Sequence, residues 1–67
     1  MASLSLIRNA DGTITVRYGR YREHISMEGK TPMQLLDAVR WAAITAGANI
    51  EEDRVWQMVQ QTWQDSQ

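Results

Sequence analysis

Thr13-Ile14-Thr15-Val16-Arg17-Tyr18-Gly19-Arg20-Tyr21-Arg22, residues 13–22, decides the reading of the fold. Ile14, Val16 and Tyr18 alternate with Thr13, Thr15 and Arg17, which is the period of two of a strand with one buried face. Carried through Gly19, the same alternation would turn Arg20 and Arg22 into the face that holds Tyr18. A break at Gly19 avoids this. Glycine at the first central position of a type II′ turn supplies the break and sets Tyr18 opposite Tyr21.

Upstream, Leu4 and Leu6 alternate with Ser3 and Ser5, and Ala10-Asp11-Gly12 separates them from the central run. A three-residue loop closing on a left-handed glycine places Leu6 opposite Val16 and Leu4 opposite Tyr18. A two-residue Asp11-Gly12 turn would set Leu6 against Arg17 instead, so the first register is expected because it keeps apolar side chains together. The pattern predicts an antiparallel meander of two or three strands over about residues 3–26. Its inner face carries Leu4, Leu6, Ile14, Val16, Tyr18, Tyr21 and Ile25, and its outer face Ile7, Thr15, Arg17, Arg22 and His24.

Downstream the period changes from two to that of a helix. Thr31-Pro32 is a strong helix start, because threonine accepts from free amides and proline is tolerated at the first helical position. Gly47 is the matching stop, which predicts a helix over 32–46. Asn49 followed by Glu52 has the reciprocal capping pattern and predicts a second helix over 50–64. Leu35, Leu36, Val39, Ala42, Ala43 and Ala46 form one stripe of the first helix, while Trp41 and Ile44 fall away from it. In the second helix Val55, Trp56, Val59, Thr62 and Trp63 share a face. The expected fold is α+β, a small antiparallel β-meander followed by an αα-hairpin packed on one face. With 67 residues and no cysteine, one domain over 1–67 without disulfides is expected, and self-association is the remaining way for so short a chain to gain stability.

Composition narrows the function classes. The net charge of −1 is unevenly spread: residues 1–30 hold five basic and three acidic side chains, residues 31–67 two basic and five acidic. Charge-driven binding must therefore come from a local patch. The apolar run from Trp41 to Ala46 is too short to cross a bilayer, and no basic region followed by an apolar stretch opens the chain, so cytoplasmic residence without membrane association is expected. A cofactor or metal is not expected: His24 is the single histidine, there are no thiolates, and Glu51-Glu52-Asp53 point in different directions on a helix and suit its positive end. Catalysis is not expected either. Ser26, the hydroxyl nearest to His24 in sequence, has no orienting carboxylate, and the four glycines are isolated rather than gathered into a phosphate loop.

Three features remain as binding candidates. Residues 17–22 interleave basic and aromatic side chains, but the strand register turns both tyrosines inward, where they cannot stack bases. Arg17, Arg20 and Arg22, with His24 beside them, are left as a contact for an acidic partner, an anion or nucleic acid. The Ala43-to-Gly47 spacing at the helix junction is shared with helix-turn-helix proteins. Asp53, however, falls where an apolar residue belongs, and Glu51 and Glu52 would meet phosphates. Finally, three tryptophans in so short a chain are large apolar bodies with an N–H that wants a partner. Trp56 and Trp63 are expected to fill the core. Trp41, with Ala38, Ile44 and Thr45 around it, is expected to face the second helix or another chain.

The leading expectation is a small non-enzymatic protein-binding module, a homodimer acting as an adaptor or as a stoichiometric inhibitor or regulator, of the kind found among accessory proteins of bacteria and phages. Nucleic-acid binding through the basic strand face is the alternative, and a small anionic ligand held by the arginines at a subunit interface is a weaker one.

Overall fold

The computed structural model describes residues 3–65; Met1, Ala2, Ser66 and Gln67 lie outside it. Three strands, β1 (Ser5–Arg8), β2 (Thr13–Tyr18) and β3 (Tyr21–Ser26), are followed by α1 (Pro32–Ala46) and α2 (Glu52–Asp65). The strands form an antiparallel sheet in the order β1-β2-β3, and both helices lie on one face of it.

Both hairpins form in the expected register. Leu6 pairs with Val16, and Tyr18 with Tyr21. At Gly19 φ is +60°, while no non-glycine residue among those described has positive φ, so the Gly19-Arg20 turn is type II′. The other loop is Ala10-Asp11-Gly12, with Gly12 at φ +84° and the Asn9 N–H donating to the Thr13 carbonyl at 2.9 Å. Asp11 fixes this loop by accepting from the Thr13 N–H at 3.1 Å and the Thr13 hydroxyl at 2.6 Å. These bonds, the hydroxyl's first, hold the Asp11 carboxyl below its ordinary value of 3.8.

Thr31 caps α1 in a reciprocal box: its hydroxyl accepts from the Gln34 N–H at 3.2 Å, and the Gln34 side chain accepts from the Thr31 N–H at 2.9 Å. The helix closes in a Schellman arrangement, with the Ala48 N–H on the Ala43 carbonyl at 2.9 Å and the Gly47 N–H on that of Ile44 at 3.0 Å. The second helix departs from expectation. It begins at Glu52 rather than residue 50, and the Glu51 carbonyl, not a cap built on Asn49, receives the first helical bonds, from Arg54 at 3.1 Å and Val55 at 3.2 Å. Ile50 packs against the core and holds the intervening chain out of the helix. At the far end of α2, Arg8 of β1 donates to the Asp65 carbonyl at 2.7 Å, and so supplies a cation where carbonyls lack partners.

One buried cluster joins Leu4, Ile14, Val16 and Ile25 of the strand segment to Leu35, Leu36, Val39, Ala42 and Ala43 of α1 and to Val55 and Val59 of α2. Leu6, Tyr18 and Tyr21 pack at its edge. Trp56 and Trp63 do not fill it: they are half-buried, and the fully enclosed side chains are Ile14, Leu35, Val16, Val39 and Val59. Branched aliphatic side chains fit the narrow space between a three-stranded sheet and two helices, which leaves the indoles at the rim. No helix among the described residues is long and apolar enough to cross a membrane.

Leu35→Ala should lower the unfolding free energy by about 2–5 kcal/mol, whereas Met33→Ala, two positions away and exposed, should change it by less than about 0.5 kcal/mol. Urea denaturation followed by circular dichroism checks this, and similar losses from both would contradict the placement of α1. Thr13→Val should raise the Asp11 pKa toward its ordinary value. A depressed carboxyl pKa contributes stability above the unfolded value that is lost as pH falls through the folded one. Loss of the Thr13 hydroxyl should thus weaken the fold's preference for neutral over acid pH, as read by NMR titration of Asp11 and by melts on both sides of its pKa.

Candidate interaction surfaces

Because α1 turns Leu35 and Val39 to the sheet, the residues a half-turn away face solvent. Trp41 is 69% exposed, Ile44 63% and Met33 61%, and these are three of the four exposed large hydrophobic residues among those described. The fourth, Ile7, lies on the other side of the sheet. α2 does not cover Trp41. Asp37 and Arg40 share the surface with Trp41 and Ile44, and the four line a shallow hollow of about 370 Å³. Arg40 reaches Asp37 at 3.7 Å and Glu52 of α2 at 3.5 Å; all three side chains are largely solvated, so each pair is a weak tether.

Of the residues expected beside Trp41, Ala38 departs from expectation and Thr45 does not. Ala38 is partly buried and packs against the core cluster, because its angular position turns it toward that side of the helix. Thr45 is exposed, and its hydroxyl donates to the Trp41 carbonyl at 2.9 Å. Met33 was not among the residues expected on this face. Its signal is the spacing of Met33, Trp41 and Ile44 at i, i+8 and i+11, which brings all three within one side of a helix.

The second surface is the outer face of the sheet. Arg17 and Arg22 are direct cross-strand partners, and Arg20 sits in the adjoining turn. The ion pairs among the described residues are those of Arg40, so no carboxylate neutralises this trio. Like charges opposite one another destabilise a strand pair, a cost that the enclosed inner face must offset. Thr15 was expected as an ordinary outer-face residue but is only 7% exposed. As a central-strand residue it lies between Ile7 and His24, and a side-chain network closes over it. The Asn9 amide donates to the Thr13 hydroxyl at 3.0 Å and to the Thr15 hydroxyl at 2.9 Å, and the Thr15 oxygen lies 2.9 Å from His24 Nδ1. The Thr15 hydroxyl has one proton and two lone pairs, so it can serve the Asn9 amide and the His24 ring at once, with the direction of the second bond set by the ring's tautomer. His24 is thus a fixture of the sheet surface.

Among the described residues no group of three or more His, Asp or Glu side chains is placed to hold a metal ion. A wider hollow of about 490 Å³ lies where the β1–β2 loop meets Met27 and Trp63, but Arg8 at its wall is already engaged with Asp65. On the inner edge of β3, desolvation first and then the Glu23 carboxylate raise the Tyr21 phenol above 10.0. Comparison with protein-family models, with curated proteins and with solved structures finds no match.

Thr15→Val removes the group that joins Asn9 to His24, and should cost about 1 kcal/mol because the Asn9 amide loses one of its two acceptors and keeps the Thr13 hydroxyl. It should also free the His24 ring, measurable as a change in its imidazole nitrogen chemical shifts. Unchanged His24 nitrogen shifts would contradict the network.

Proposed function

We propose that this chain is a small non-enzymatic protein-binding module, an adaptor or stoichiometric regulator, that docks through the outer face of α1. The observation that carries this reading is the grouping of Met33, Trp41 and Ile44 on one side of one helix while the opposite side is buried. Exposed apolar side chains scattered singly need no explanation, but three on one side of a single helix, a tryptophan among them, have the make-up of interface anchors. Helices docking by such a face use anchors three, four and seven or eight residues apart, and the weak Arg40 tethers leave Asp37 and Arg40, which lie between the anchors, able to pair with charges of a partner.

The test is a photoreactive side chain at position 44, activated in cells that produce the protein. Adducts with protein are expected from position 44 and not from exposed Gln57 on α2, and Trp41→Ala should remove them. Its expected cost is about 2 kcal/mol or more in binding with under about 0.5 kcal/mol in stability. Absence of protein adducts at position 44 would overturn the reading.

A second reading, nucleic-acid binding through the outer sheet face, is favoured by the lack of acidic partners for Arg17, Arg20 and Arg22 among the described residues. Both tyrosines beside them turn inward and pack at the core, so contact would be with phosphates rather than stacked bases. Three phosphate contacts predict an affinity for mixed DNA duplexes that falls with salt on a log–log slope of about −3. No binding at low salt removes this reading.

A further inference from the structure

We infer that the protein docked on the outer face of α1 is a second copy of this chain, in an antiparallel helix pair about a twofold axis. The inference rests on the reading of that face as a protein-binding surface and names its occupant. Met33, Asp37, Arg40 and Ile44 follow one another at intervals of four, three and four residues, the spacing of a seam along which one helix packs against another. The order of chemistry along that seam is apolar, acidic, basic, apolar. A twofold axis at the level between Ala38 and Val39 sets Met33 opposite Ile44 of the other copy, and the same axis sets Asp37 opposite Arg40. Each contact then occurs twice, as an isologous interface requires.

Orientation is specified by the same residues. Parallel pairing in register would place Asp37 against Asp37 and Arg40 against Arg40, a like-charge arrangement that counts against it. In the antiparallel pair both charges are satisfied reciprocally, and Arg40 exchanges two long, solvated contacts within its own chain for a facing carboxylate. Trp41, on the flank of the seam, lies over the central charge pairs from both copies and shields them from water. The face belongs to one helix of 15 residues, short of the roughly 20–30 residues a side of a standard interface, so association is reversible. The outer sheet faces, with Arg17 and Arg22, remain free on both copies.

The test uses charge reversal read by sedimentation equilibrium, with circular dichroism confirming the fold. Wild type should dimerise. Asp37→Arg and Arg40→Asp should each weaken self-association by about tenfold or more, since like charges then meet across the axis. The two reversals combined in one chain should restore it, and an equimolar mixture of the two single variants should form a heterodimer. Ile44→Glu is the alternative disruptor should either reversal lower the helix content. A wild-type chain that stays monomeric at the highest concentration, or single variants that neither lose self-association nor pair with each other, would overturn the inference. If the chain is monomeric while position 44 still yields adducts with a different protein, only the occupant is wrong; if position 44 yields none, the reading of the face falls as well.

Discussion

The fold turns on the seating of α1 across the central strand, with Leu35 and Val39 against the sheet face that carries Ile14 and Val16. These four side chains are fully enclosed, and they belong to the one cluster that includes buried residues of both helices. A three-stranded meander has one face it must cover, and burial of branched aliphatic side chains there is the largest favourable term available to so short a chain. Everything else follows from the angle at which α1 is held. Its enclosed stripe commits one side of the helix, so Trp41 and Ile44 must face outward, and the Schellman turn at Gly47 with the extended stretch to Ile50 brings α2 down beside it. The exposed apolar face is thus a consequence of the core.

Much of this architecture is legible in the residues themselves. Strand register rests on a period of two that only one loop length makes consistent, and the bounds of α1 are marked by Thr31-Pro32 and Gly47, so both emerge as expected. The start of α2 does not, because a good local capping pattern at Asn49 competes with the burial of Ile50, and tertiary packing wins. The tryptophans mislead for a similar reason. Composition marks all three as large apolar bodies, but the space between sheet and helices takes aliphatic side chains, so Trp56 and Trp63 are left at the rim.

The candidate surfaces are legible in part. Trp41 and Ile44 stand out by angle alone, whereas Ala38 sits near the border of the buried stripe, where a helical wheel does not resolve its side. Met33 escapes notice in the first turn until the full length of the exposed face is drawn. Tyr18 opposite Tyr21 already implies Thr15 opposite His24 and Arg17 opposite Arg22. The burial of Thr15 additionally needs Asn9, a loop residue whose side-chain direction no periodicity predicts.

The two surfaces differ in what they ask of a partner. The sheet face presents uncompensated positive charge over a hydrogen-bonded floor, a surface suited to steering and sensitive to salt. The α1 face presents apolar area with one charge of each sign and is suited to a partner of the same make-up. The most direct measurement of that claim is acrylamide quenching of Trp41 fluorescence in a chain carrying Trp56→Phe and Trp63→Phe, followed from low micromolar to near-millimolar protein. The account predicts an indole freely quenched when dilute that becomes shielded, with blue-shifted emission, as concentration rises. An indole as accessible at the highest concentration as at the lowest would contradict it.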